Sequence, residues 1–76
     1  MALVLWASGV TEGNVRRIQP GMRETEAQAI LGESRFAVGG NWGRLRVWVG
    51  GGLIVRVRSD RDGVIQQVTV QPHPSP

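Results

Sequence analysis

Cysteine, lysine and tyrosine are all missing from the 76 residues. Without cysteine the chain has no disulfide, no thiolate zinc site and no sulfur to carry a lipid within these residues. One histidine is present, His73, and it sits among the prolines of Pro72-His73-Pro74-Ser75-Pro76. A histidine-based metal cluster is therefore unavailable. The hydroxyls of Ser8, Thr11, Ser34 and Ser59 have no histidine or lysine in the body of the chain to activate them. Aromatics are scarce, with three tryptophans and one phenylalanine. No apolar run approaches the roughly 18 residues that a membrane-spanning helix needs. These absences argue against catalysis, a cofactor and a transmembrane segment. The expectation is a non-catalytic protein.

Basic charge comes from nine arginines against six acidic residues, a net of +3. That excess is mild, and it permits an anionic partner without demanding one. The length fits one small domain that buries about 60% of its unfolded surface, so marginal stability is expected. Residues 1–10 open with an apolar stretch, Met1-Ala2-Leu3-Val4-Leu5-Trp6-Ala7. It lacks the charged start of a signal peptide and is short for its apolar core. As it stands the sequence points to the cytoplasm, and an export signal trimmed before Met1 would place it in the cell envelope. Leu3–Trp6 has the residue types of a strand and is expected to pair along a sheet edge, in its own chain or across a homodimer.

Residues 11–71 carry the pattern of one folded unit, and residues 72–76 read as a disordered proline-rich tail. Thr11 is a candidate N-cap for a short helix over residues 11–18, with Val15 and Ile18 as its buried pair. Pro20 stops it. A second helix is expected over residues 23–31, because Ala27, Ile30 and Leu31 fall at i, i+3 and i+4 on one stripe. Its start is open between Thr25 and Arg23 as N-cap, and a start near Arg23 gives the helix more than two turns. Glu24 and Glu26 suit the positive end of that helix, and Gly32 suits a left-handed residue beyond its C-terminus. Glu24 and Glu26 point to different faces, which argues against a catalytic or metal-binding pair.

Residues 33–43 read as a loop around Gly39-Gly40-Asn41, with Phe36 and Trp42 turned inward as lids on the core. The hydrophobic period then becomes two. Leu45, Val47 and Val49 alternate with Arg44, Arg46 and Trp48, and Leu53, Val55 and Val57 alternate with Ile54, Arg56 and Arg58. Two such runs joined by Gly50-Gly51-Gly52 predict a hairpin. A three-residue loop with Val49 opposite Leu53 gathers every apolar residue on one face. Arg44, Arg46, Trp48, Ile54, Arg56 and Arg58 then share the other. Ser59-Asp60-Arg61-Asp62-Gly63 reads as a turn, and Asp60-x-Asp62-Gly63 is not a calcium loop, whose later ligands are missing. Residues 64–71 read as a third strand, and the odd parity of Ile65 against Val68 and Val70 predicts a bulge or a change of face near the strand start. Gly50–Gly52 joins strands without a following helix, so it is not a phosphate cradle.

Ile18-Gln19-Pro20-Gly21-Met22, followed by Glu26 and by Ile30-Leu31-Gly32-Glu33, resembles the signature of the BamE (SmpA/OmlA) family of small outer-membrane lipoproteins. β-Lactamase inhibitor protein has a related fold. Val55, Val57, Asp60, Gly63 and Ile65 match the family's last element, and Trp42 or Trp48 takes its aromatic place. Arg23, Ala27, Ser34 and Ser59 depart from the pattern, as does the missing lipobox cysteine. The resemblance implies an α+β fold of two short helices on one face of a three-stranded antiparallel meander, with the other face open. Family members of this shape act as scaffolds or protein binders.

The expected function is accordingly a protein-binding or scaffolding module. Its contact surface would be Arg44, Arg46, Trp48, Ile54, Arg56 and Arg58, presented to an acidic partner. Arginine and tryptophan are the residues enriched at interface hot spots. The alternative is single-stranded nucleic acid on the same face, where arginine charge and an aromatic stacking surface would combine. A polar sheet face that is merely solvated is the plain competitor to both.

Overall fold

The computed structural model describes residues 9–73. The expectation about Leu3–Trp6 lies outside the described residues. The order is α1 (Glu12–Val15), α2 (Glu24–Leu31), β1 (Phe36–Gly40), β2 (Gly43–Gly50), β3 (Leu53–Ser59) and β4 (Ile65–Pro72). The strands form one antiparallel sheet in the order β1-β2-β3-β4. The fold is α+β, but the sheet has four strands where three were expected. The extra strand is β1, which occupies the segment read as a loop. Two glycines lower strand propensity there, yet an edge strand needs only one neighbour. Phe36-Ala37-Val38 finds that neighbour in Val47-Arg46-Leu45.

Thr11 caps α1, its hydroxyl accepting the Asn14 N–H at 3.1 Å. The helix ends at Val15, three residues short of the expected limit, and Val15 and Ile18 both reach the core. α2 begins after Arg23, whose own N–H donates to the Glu26 carboxylate at 3.1 Å. That reciprocal bond holds the first turn although arginine offers no side-chain acceptor. Eight residues are too few for a stable isolated helix, so α2 depends on what it packs against. Ala27 and Leu31 supply that contact. They join Val10, Val15 and Ile18 in a core with Trp48, Val55, Val57 and Ile65. Both helices therefore lie on one face of the sheet. The Pro-Gly hinge is tied to the start of β4, where Gly21 N–H donates to Ile65 O at 2.8 Å and Ile65 N–H to Met22 O at 2.7 Å.

The β2–β3 connection decides which side chains face that core. It is a two-residue turn, Gly51-Gly52, closing on the pair Gly50↔Leu53. Its φ values are 55° and 76°, the left-handed pair that a tight hairpin of matching twist requires. The expected three-residue loop is off by one register step, and Trp48 pairs with Val55 rather than Ile54. One step inverts a whole strand. Val55 and Val57 face the helices as expected, whereas on β2 it is Arg44, Arg46 and Trp48 that face inward and Leu45, Val47 and Val49 that face away.

The bulge at the start of β4 is present. Arg58 pairs with Gln67 and Ser59 with Ile65, which leaves Gln66 as the extra residue and turns Ile65 inward. β4 extends to Pro72, and His73 N–H donates to Gly52 O at 2.9 Å. Pro72 of the expected tail thus belongs to the sheet, and His73 is tied to it by that bond.

Gly32 closes α2 with φ 87° and ψ −165°. This is not the expected left-handed helical residue. It lies in a region of the backbone map that essentially glycine alone occupies. A side-chain β-carbon there would meet nothing within 4 Å, so the penalty for a substitution is backbone strain alone. Gly32→Ala should destabilise the domain by about 1–3 kcal/mol in a denaturant titration. Unchanged stability would show that this end of α2 relaxes freely.

Candidate functional site

The six residues expected to form one surface fall on opposite sides of the sheet. Arg44, Arg46 and Trp48 lie beneath α2. Trp48 is 1% exposed, and its indole N–H donates to the carbonyl of Gly32 at 2.7 Å. Arg46 Nε donates to Glu24 at 2.7 Å, and Arg44 Nη1 reaches the same carboxylate at 3.4 Å. Glu24 is the first residue of α2 and Gly32 follows its last. Eight helical steps span about 12 Å, and four strand steps from Arg44 to Trp48 span about 13 Å. The match in length lets alternate side chains of β2 hold the helix at both ends. Glu24 is itself buried, and its charge also favours the positive helix end. These three residues seat α2, with Trp48 fully buried, Arg46 half-buried and Arg44 still exposed at its outer end.

Ile54, Arg56 and Arg58 lie on the other face, over which no helix or strand of the described residues packs. The pairings bring Phe36 and Val38 of β1 to the same side, beside Val47 and Leu45. Phe36, Val38 and Trp42 are 52%, 50% and 47% exposed. Val47, between its cross-strand partners Phe36 and Arg56, is buried, while Leu45, Val49 and Ile54 are half-buried. Trp42 belongs to the tight turn between β1 and β2, and its indole folds back against Gly40, where a β-carbon would sit 2.8 Å from Nε1. The Arg58 guanidinium lies over that indole, 5.4 Å from the ring centre. Arg56 bonds to Gln71 across β4. A hollow of about 230 Å³ runs between Leu45, Arg56, Arg58, Gln67 and Thr69.

Sequence reading missed Phe36, Val38 and Trp42 as surface residues, because it placed them in a loop and turned the two aromatics inward. A signal was there. Gly51-Gly52 is a preferred dipeptide of two-residue hairpins, and the register it imposes sends Leu45, Val47 and Val49 outward. That outward row then gives Phe36 and Val38 apolar neighbours.

Elsewhere the chemistry is self-contained. The Asp60 carboxylate accepts the N–H groups of Asp62 and Val64 at 2.9 and 3.0 Å, so it caps its own turn. No group of three histidines or carboxylates among the described residues is placed to hold a metal ion. A hollow of about 470 Å³ between α1 and the sheet is lined chiefly by Val15, Ile18, Pro20, Leu53 and Val68. No helix of the described residues is long and apolar enough to cross a membrane.

Comparison with models of protein families, with curated proteins and with solved structures gave no match in any of the three. The resemblance to the BamE family therefore rests on the residues that carry it.

The seat of α2 can be tested through Glu24. Glu24→Ala removes the shared acceptor of Arg44 and Arg46 and should cost about 1.5–3 kcal/mol, the range for hydrogen bonds to charged groups. Thermal and denaturant unfolding read it directly. A variant as stable as the wild type would show that packing alone holds α2.

Proposed function

We propose that the protein is a non-catalytic binding module whose contact surface is the sheet face opposite the helices. One observation carries this reading. Phe36, Val38 and Trp42 stand about half exposed on that face, beside Leu45 and Val47, with Arg56 and Arg58 flanking them on the next strand. A contiguous apolar patch with a polar rim is the signature of an interaction site, whereas single exposed apolar residues are ordinary. The merely solvated face considered above would alternate to polar side chains here, and β2 sends outward Leu45, Val47 and Val49 instead. The arginines favour a partner with carboxylates at the edge of its own apolar patch. Arg58 stacked on Trp42 presents a rigid cation that needs little further ordering to bind one. The BamE-like residues support the same reading, since proteins of that family act as binders and scaffolds.

The nucleic-acid alternative has less support. Arg44 and Arg46 are engaged by Glu24, Trp48 is buried, and Trp42 has Arg58 over its ring. Two arginines remain on the face, without the run of charge that a phosphate backbone would use.

The test is capture from lysate of the source organism, with and without nuclease, followed by affinity measurement with the partner obtained. Phe36→Ser and Arg58→Glu should each weaken binding by about tenfold or more, as expected of hot-spot residues costing over 1 kcal/mol. Both should leave the circular dichroism unchanged. Trp48→Ala should instead unfold or destabilise the domain by about 3–5 kcal/mol. Wild-type affinity in both surface variants, or capture abolished by nuclease, would contradict the reading.

A further inference from the structure

The sheet has two outer edges, β1 and β4. Natural sheets blunt their edges with proline, charge or cover, because unpaired N–H and C=O groups are a template for another strand. β4 ends on Pro72 and carries Gln66, Gln67, Thr69 and Gln71 along its length. β1 carries neither proline nor charge. Its five residues, Phe36-Ala37-Val38-Gly39-Gly40, are all exposed, uncharged and free of proline. Beyond β2 it has no strand neighbour among the described residues.

We propose that the outer edge of β1 is a self-association site, joining two copies of the chain by antiparallel β1–β1 pairing about a twofold axis at Val38. The order of residues in the strand selects this occupant. In that register Phe36 of each copy falls opposite Gly40 of the other, Ala37 opposite Gly39, and Val38 opposite Val38. The largest side chain meets a residue that has none of its own and over which the Trp42 indole is folded, 2.8 Å from where a β-carbon would sit. Each Phe36 ring thus gains an aromatic neighbour from the second copy, the way a cross-strand aromatic covers an edge glycine.

Charge permits the pairing as well. No ionisable side chain occurs between Arg35 and Arg44, so a chain of net charge +3 approaches its copy through a neutral segment. The twofold sets the two Arg35 residues at opposite ends of the ladder. They are six residue steps or about 20 Å apart, beyond the roughly 8 Å screening length at physiological salt. The register also keeps both uncovered faces on one side. The result is a continuous eight-stranded sheet with all helices behind it and the two Phe36–Val38 patches joined. An isologous contact of this kind uses up both β1 edges and closes at two copies. Five residue pairs make a contact at the low end of interface size, so the dimer forms and dissociates with concentration.

Sedimentation velocity or light scattering over a wide concentration range tests this, with circular dichroism confirming the fold. The mass of the wild type should rise from one chain toward two. Val38→Lys sets two ammonium groups directly opposite at the axis and should raise the dissociation constant about tenfold or more, because like charges facing across strands repel. Thr69→Lys on β4 makes the same charge change at the other edge and should dimerise like the wild type. Three results would overturn the proposal: a wild type monomeric at every concentration, the edge being taken by another segment of its own chain; a Val38→Lys variant that dimerises undiminished; or equal loss in both variants.

Discussion

β2 grips α2 at both ends, and the rest of the fold depends on that grip. Trp48 fills the core beneath the helix and donates to the Gly32 carbonyl where the helix stops. Arg46 and Arg44 reach the Glu24 carboxylate where it starts. A helix of eight residues has little stability of its own, and a domain of this size has little core to spare. Fixing both termini to alternate residues of one strand limits sliding and rotation that a small apolar stripe would leave open. Removing one member leaves charged or polar groups unpaired near the core, which is why such an arrangement specifies a position more than it adds net stability.

The same strand sets the character of the opposite face. Because side chains alternate along a strand, committing Arg44, Arg46 and Trp48 to the helix sends Leu45, Val47 and Val49 the other way. An antiparallel sheet with one covered face usually shows polar side chains on the other. Here the outer face carries an apolar strip continued by Phe36 and Val38 on β1 and by Ile54 on β3. The polar side chains that would normally solvate β2 are spent on seating α2, and the apolar row on the outer face is the physical consequence.

Much of this was legible in the sequence. The Thr11 cap, the Ala27–Leu31 stripe, the three later strands and the bulge before Gln67 follow from spacing and turn chemistry. The start of α2 stood open between Thr25 and Arg23, and the structure selects Arg23. Two things did not come through, each for a stated reason. β1 was hidden because Gly39-Gly40 lowers strand propensity, and pairing with β2 overrode it. The face of β2 was inverted because periodicity alone cannot distinguish a strand with its apolar row inward from one with that row outward. The usual preference for apolar residues inside favoured a three-residue loop, and Gly51-Gly52 closing in two residues reversed it. Of the six residues first grouped as a surface, Ile54, Arg56 and Arg58 remain on it, and Phe36, Val38 and Trp42 take the places of the other three.

The inward setting of Trp48 is the claim on which the assignment of both faces rests. Hydrogen exchange of the tryptophan indole N–H groups, read by NMR with each assigned by substitution, tests it most directly. The Trp48 indole, bonded to Gly32 in the core, should exchange orders of magnitude more slowly than that of Trp42, reaching deuterium only through opening of the structure. A Trp48 indole that exchanges as fast as that of Trp42 would place it on the outer face, and the seat of α2 and the apolar surface behind it would both be lost.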